Sequence, residues 1–352
     1  MTTTVGDVTV RRRWWASRCV CQPGGFHADA VLGVDGAWSR RLERQVTRLA
    51  ADVSFAKTQG HLAALLGVTV AVDSVRTHVE AQAARLAAWQ PTDTATPAAF
   101  AQADGQVELA LDAGKACTLE YGWRDLKIAV VSKRPAGPPA TPAQWATREL
   151  PGPTAQVAWA RVAPVQRFRP TWRPWLRRLG VTAGAEVQVL ADGASWIWKA
   201  AQRVVSGCRQ TLDIYHACQH LAQAGQRLYG EGTAEATAFL ERSRTRLLAD
   251  GWRGVCDTVA DELTRGDTPL RRHAVERLVK YFAPHLHRLD YRTHLAAGEA
   301  IGSGVVEGWA KTLGLRLKAR GARWRLNNVQ AMAALGCVAN SDQWEAYWAV
   351  AA

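Results

Sequence analysis

Two apolar runs that end alike constrain this chain most. "LALDAG" closes on Asp112, Ala113 and Gly114, and "VQVLADGA" closes on Asp192, Gly193 and Ala194. Each belongs to a strand pattern, and both sit in a region where short apolar runs alternate with helical periodicity. Strands are predicted over 106–114, 125–134 and 155–162, with a helix between prolines at 168–181. A strand then runs into a helix over 185–205 and again over 209–228. Strands alternating with helices imply an α/β fold with a mixed sheet flanked by helices. If the two acid-ended strands are adjacent and parallel, Asp112 and Asp192 meet at the strand ends, where open α/β sheets place ligands. Two carboxylates that close together are costly unless a cation sits between them. A single Asp at a strand end is also a common turn residue, so the pairing carries the argument.

The flanking segments divide the chain. Residues 1–50 hold an alternating stretch, "DVTVRRRWW", that fits a strand, and then Cys19, Cys21 and His27, which read as loop residues or a degenerate zinc knuckle. Residues 51–95 contain two helices. Phe55, Leu62, Leu65 and Leu66 share one helical face, Gly67 ends the first helix, and Asp73 or Ser74 is placed to cap the second. Val75, Val79, Ala83 and Leu86 follow at helical spacing. This is either a helix-turn-helix with Arg76, Thr77 and His78 on its recognition helix, or a plain helical hairpin. Small and turn-forming residues through 96–105 read as a linker. Residues 106–220 form the first part of the α/β core, 221–298 an all-helical insertion, and 299–352 the C-terminal helices of the core.

The helix beginning near Ser303 carries one acid, Glu307, ahead of a run of cations: Lys311, Arg316, Lys318, Arg320, Arg323 and Arg325. At 100° per residue, Val306, Ala310, Leu313 and Leu317 form an apolar stripe, and Glu307, Lys311, Gly314 and Lys318 form another. Ser303 is placed to cap the helix. Alone, Glu307 and Lys311 make an ordinary i,i+4 pair. Taken with Asp112 and Asp192, Glu307 completes the hard-oxygen set that two Mg²⁺ or Mn²⁺ ions need. Such a pair, about 4 Å apart, activates an attacking oxygen and stabilises a leaving one. The cations beyond Glu307 would then track phosphates, or form a solvated basic face. Trp309 and Trp324 would stack on bases or pack internally.

Composition points the same way. The formal net charge is +13, an excess that favours a polyanion, most often nucleic acid. Seven scattered cysteines suggest no disulfide framework and hence a reducing compartment. No apolar run is long enough to span a bilayer, so no membrane role is expected.

Four stretches give the chain a family resemblance: "DAGKACTLEYGWRDLKIAVVSKR", "LADGASWIW", "DIYHACQHL" and "GSGVVEGWAKTLGLRLKARGARW" with the later "NNVQAM". Over roughly residues 50–340 the chain resembles the DDE transposases of bacterial insertion sequences, of the ISKra-type group. The resemblance implies an RNase H-like catalytic core. It also implies a catalytic and metal-binding triad at Asp112, Asp192 and Glu307, in which Asp112 bridges two ions and the other acids complete one each. Asp213 and His216 match a D-x-x-H signature and would lie near the site, His216 as a structural or substrate-orienting residue, with a general-base pair as the lesser reading. Double-stranded DNA would be the partner, as terminal inverted repeats and target DNA, bound by a homo-oligomer in the cytoplasm at the nucleoid. The family pattern has more chain before "GDVTVRR" and a cleaner cysteine pair after it, which leaves room for an incomplete N-terminal DNA-binding region. A nuclease without strand transfer and a non-catalytic DNA-binding derivative are the alternatives.

Overall fold

The computed structural model describes residues 1–11, 13–16, 25–26, 29, 37–181 and 186–350. Cys19, Cys21 and His27, the residues of the suspected zinc knuckle, lie outside the described residues. Strands β1 (Thr2–Thr3) and β2 (Gly6–Asp7) form a two-stranded hairpin. Among the described residues the β1–β2 ladder ends at Asp7, so the longer strand expected over "DVTVRRRWW" is not seen there. Trp14 is left 57% exposed.

Helix α1 (Arg40–Asp52) starts at Ser39, whose hydroxyl accepts from the Leu42 N–H. Helix α2 (Phe55–Leu66) is capped by Ser54 and ended by Gly67 in the left-handed conformation. Helix α3 (Val72–Trp89) begins after Ala71 without a side-chain cap, so neither Asp73 nor Ser74 caps it. Val75, Val79, Ala83 and Leu86 are fully buried, as their spacing implies. The α2 face differs from expectation: Leu62 is buried, but Leu65 is 74% exposed and Leu66 more than a third exposed. The helices around α2 cover only a narrow stripe.

Part of the stretch read as a linker is helical. Helix α4 (Ala95–Gln102) is nucleated by the Asp93 carboxylate, which accepts from the Ala95 and Thr96 N–H groups. It is anchored by buried Phe100, and Lys133 Nζ donates to the Ala101 and Ala103 carbonyls beyond its end.

The central sheet contains β3 (Gln106–Thr118), β4 (Gly122–Arg134), β5 (Ala155–Val162), β6 (Val187–Ala191) and β7 (Arg209–Leu212) in the order β5-β4-β3-β6-β7. The first three form an antiparallel meander, and β6 and β7 extend it in parallel with β3. Both faces are buried, and the period-two alternation sorts them. Ala110, Ile128, Val130, Ala158 and Leu190 join one core, which includes residues of α1–α3 and the C-terminal helices. Leu109, Leu111, Val131, Val157, Val189 and Ala191 join the other, with the helices that connect and follow β5–β7.

Those helices are α5 (Val165–Phe168), α6 (Trp172–Arg178), α7 (Ser195–Val204) and α8 (Ile214–Tyr229). The segment expected to be an all-helical insertion continues as α9 (Ala234–Asp250), α10 (Trp252–Thr264), α11 (Pro269–Phe282), a 3₁₀ turn over Ala283–Arg288 and α12 (Tyr291–Ala296). The chain ends in α13 (Gly304–Leu317), α14 (Leu326–Ala339) and α15 (Gln343–Val350). Val306, Leu313 and Leu317 of α13 are buried, as the apolar stripe requires. Among the described residues, no helix is long and apolar enough to cross a membrane.

The two leucines of α2 make a direct test. Leu62→Ala should cost about 2–5 kcal/mol in urea unfolding, because it opens a cavity in a closed core. Leu65→Ala should change stability by less than about 0.5 kcal/mol.

Candidate metal centre

The parallel pairing of β3 with β6 ends at Leu111 opposite Ala191, so Asp112 and Asp192 are the next residue on each strand. Ala110 and Leu190, two positions earlier, share one core. Alternation therefore sends both aspartates to that same face, the one α13 packs against. Asp192 does follow a strand end. Asp112 does not: β3 continues to Thr118, and Asp112 pairs with Ile128 inside the β3–β4 ladder. Gly114 fails to end the strand because β4 still supplies a partner, Leu126. What ends at Asp112 is the shared edge with β6.

A third carboxylate arrives from the β7–α8 turn. Asp213 is completely buried and caps α8, accepting from the His216 N–H at 2.7 Å. Its other oxygen accepts from the Ser303 N–H and, at 2.8 Å, from the Ser303 hydroxyl. Ser303 stands at the N-cap of α13 but makes no side-chain cap, because its hydroxyl is committed to Asp213. Asp213 thus ties α8 to the start of the helix that carries Glu307. His216 Nδ1 lies 3.1 Å from Asp213 Oδ1 and 3.6 Å from Glu307 Oε1. One donor atom from each of Asp213, His216 and Glu307 falls within 4.8 Å of the others, a grouping that could hold a metal ion.

The charges report on one another. Burial raises the Asp112 pKa above its ordinary value, the Ala113 N–H opposes this, and the negative charge of Asp192 adds to the rise. Glu307 is also raised, by burial first and then by the charges of Asp213 and Asp112, with His216 opposing. Burial pushes Asp213 up as well, but hydrogen bonds from His216 and Ser303 more than offset it and leave the carboxyl below its ordinary value. The Asp213 hydrogen bond raises His216 to about 9 against its own desolvation, helped by the charges of Asp213, Asp192 and Glu307. At neutral pH His216 is therefore a cation, which disfavours the general-base reading. Asp112 feels the charge of Asp192, and Glu307 that of Asp112, but among the described residues the group whose donor atoms all lie within 4.8 Å is Asp213, His216 and Glu307, with Asp112 and Asp192 outside it.

Gly193, next to Asp192, stands in filled space. A Cβ at Gly193 would meet Tyr281 Cε2 at 2.6 Å and His285 Nε2 at 3.3 Å. Burial and the nearby Arg288 charge hold the His285 pKa down to about 4, so its ring is neutral where it packs on the glycine. Arg288 donates to His285 Nδ1 and lies 4.3 Å from the Trp198 ring centroid. The Trp198 indole in turn donates to the Asp192 carbonyl, and Asp192 Oδ1 accepts from the Ala194 N–H. The helical segment after α8 therefore seats the Asp192 loop, a role with no mark in its sequence. Gly114, beyond Asp112, has open space where a Cβ would stand.

The cations expected on phosphates divide into two groups. Lys311, Lys318, Arg320, Arg323 and Arg325 are exposed. Arg316 is buried: its Nε donates to the Ala50 carbonyl at 2.7 Å, and its guanidinium sits between the Phe55 and Trp324 rings. It cannot present itself to DNA, because its charge is spent joining α13 to α1 and α2. Trp309 and Trp324 are also buried, donating to Gln156 Oε1 and the Leu317 carbonyl, so neither is available to stack on bases. In α3, Thr77 is exposed and Arg76 pairs with Asp73 at 3.1 Å. His78 instead turns inward, stacked on Trp38 and 3.5 Å from Glu43. His220 stacks on Tyr281.

Searches against protein-family models and against curated proteins return no match. The chemistry of the site rests on its residues.

The raised pKa of His216 has a consequence for stability. A folded-state pKa of about 9 against an ordinary 6.5 means that the contribution is complete below pH 6.5 and is lost as pH rises through 9. In EDTA, the thermal midpoint of the wild type should exceed that of His216→Gln by a margin that shrinks between pH 6.5 and 9. Melting curves of the two proteins across that range check it.

Proposed function

We propose that the protein is a DNA transposase of the DDE type, which cuts DNA strands at element ends and joins the freed 3′-hydroxyl to target DNA. The observation that carries this reading is that Asp112 and Asp192 directly follow the end of the shared β3–β6 edge, the charge of Asp192 acting on Asp112, with Glu307, which feels the charge of Asp112, on the helix packed against β3. The strand order reverses between β3 and β6, and crevices at such points are where open α/β sheets bind ligands. A five-stranded mixed sheet with acids at this position supports an RNase H-like core. The net charge of +13 and the exposed Lys311, Lys318, Arg320, Arg323 and Arg325 suit double-stranded DNA, as terminal inverted repeats and as target. Exposed Arg76 and Thr77 on α3 would add contacts from the N-terminal helices. A homo-oligomer on DNA, in the cytoplasm at the nucleoid, fits this role.

The residues present fit divalent ions. Asp112 and Glu307, whose pKa values are raised, and Asp192, whose charge adds to that rise at Asp112, are hard oxygen donors whose mutual repulsion a cation relieves. Two Mg²⁺ or Mn²⁺ ions, when bound, supply activation of the attacking oxygen and stabilisation of the leaving one. Asp112, Asp192 and Glu307 would hold them. Asp213 holds the Glu307 helix through Ser303, and His216 offsets part of the negative charge from beside Glu307. Cleavage and joining are both in-line displacements at phosphorus, each forming one P–O bond and breaking one, so one site serves both.

End-labelled DNA carrying the element ends tests this. The wild type should give cleaved and joined products with Mg²⁺ or Mn²⁺. Asp192→Asn should bind the same DNA but lose at least about a hundredfold in both products, since losing even an outer-shell metal partner costs 10–100-fold. Cleavage without joined product would make the protein a nuclease, and equal binding with no cleavage by either protein would make it a non-catalytic DNA-binding protein.

A further inference from the structure

The tip of the β3–β4 hairpin carries a feature that the acid cluster does not use. Thr118 pairs with Gly122 across a three-residue loop, and Gly122 takes φ +65°, the left-handed conformation such loops require. The Thr118 hydroxyl braces the turn, donating to the Gly122 carbonyl at 3.0 Å and accepting from the Tyr121 N–H at 3.1 Å. Flanking this glycine, Tyr121 and Trp123 are 56% and 57% exposed, with the Arg124 guanidinium 5.7 Å from the Tyr121 ring centroid.

These rings line a groove of about 660 Å³ between the hairpin, the end of β5, the start of α5 and the start of α14. Lys115, Arg124, Arg161 and Arg167 also line it, and Asp125 is the one acid of its described lining. Lys115 is paired to Asp125 at 2.6 Å, so that acid is already neutralised. The groove also adjoins the basic loop that leaves α13. The Leu119 N–H donates to the Trp324 carbonyl, the Trp324 N–H donates to the Cys117 carbonyl, and Glu120 accepts from the Leu326 N–H. Exposed Arg320, Arg323 and Arg325 are thereby tied to the hairpin tip.

We propose that this groove binds unpaired nucleotides of a DNA strand, with bases stacked on Trp123 and Tyr121 and phosphates held by Arg161, Arg167 and Arg124. Exposed rings interleaved with cations are what strand-tracking surfaces need: stacking accepts any base, and the cations follow the backbone. A double helix offers no free base faces to these rings. The inference rests on the nucleic-acid half of the proposed function and not on the catalytic half.

The test is fluorescence anisotropy in EDTA, with a labelled twelve-residue oligo-dT and a duplex of the same length. Trp123→Ala should weaken binding of the single strand about tenfold, within the range one lost base stack gives. It should leave duplex binding within about twofold. Trp123→Phe should restore the single strand, because a ring returns. Arg161→Ala with Arg167→Ala should flatten the salt dependence of single-strand binding by about 0.7 in log–log slope per lost contact. Unchanged single-strand binding by Trp123→Ala, equal loss on strand and duplex, or failure of the phenylalanine to restore it would overturn the groove while leaving duplex recognition standing. Failure of the wild type to bind either DNA would overturn both the groove and the nucleic-acid reading.

Discussion

The buried carboxylate of Asp213 is the contact on which the rest of the site depends. It caps α8 with one oxygen and grips the Ser303 backbone and hydroxyl with the other. It fixes the start of α13, and so the approach of Glu307, against the start of α8, while buried Val306 and Trp309 and the Arg316 bond to Ala50 hold the rest of the helix. A fully buried carboxylate is expensive unless hydrogen-bonded, and the donors present leave Asp213 below its ordinary pKa despite its burial. His216 turns this anchor into a charged relay, reaching from Asp213 to Glu307. One residue thus joins the stability of the helix crossing to the electrostatics of the acid cluster.

Around that anchor, the two halves of the molecule serve different purposes. The sheet presents Asp112 and Asp192 where β6 turns away from β3. The helices after α8 hold the Asp192 loop from outside, with Tyr281 and His285 packed against Gly193 and the Arg288–Trp198 contact behind them. The N-terminal helices are bound in through Arg316, whose guanidinium lies between Phe55 and Trp324 while its Nε reaches Ala50. A cation buried between rings in this way is a joint between elements, and burial draws its pKa down to about 10.

Much of this was legible from local pattern. Alternation located β5 to the residue and both acid-bearing strands, and helical spacing identified the buried faces of α3 and α13. That Asp213 and His216 would lie near the site came from the family resemblance, not from local pattern. What local pattern missed depends on distant partners. Nothing near Arg316 distinguishes it from the exposed Arg320 and Arg323, because Phe55 and Ala50 come from the other end of the chain. Nothing near Gly193 announces Tyr281. Asp112 looked like a strand end because Ala113 and Gly114 resemble a turn, yet β4 carries the ladder on. Of the two readings of Trp309 and Trp324, stacking on bases or internal packing, the structure shows the second. The exposed rings are instead Tyr121 and Trp123, which only the hairpin turn sets side by side with cations.

The most direct measurement of the central claim is anomalous scattering from crystals soaked in Mn²⁺. Two peaks about 4 Å apart are expected among the carboxylates of Asp112, Asp192 and Glu307, the spacing of a two-metal phosphoryl-transfer site. No peak at those carboxylates, or a single ion held by Asp213, His216 and Glu307 alone, would contradict it.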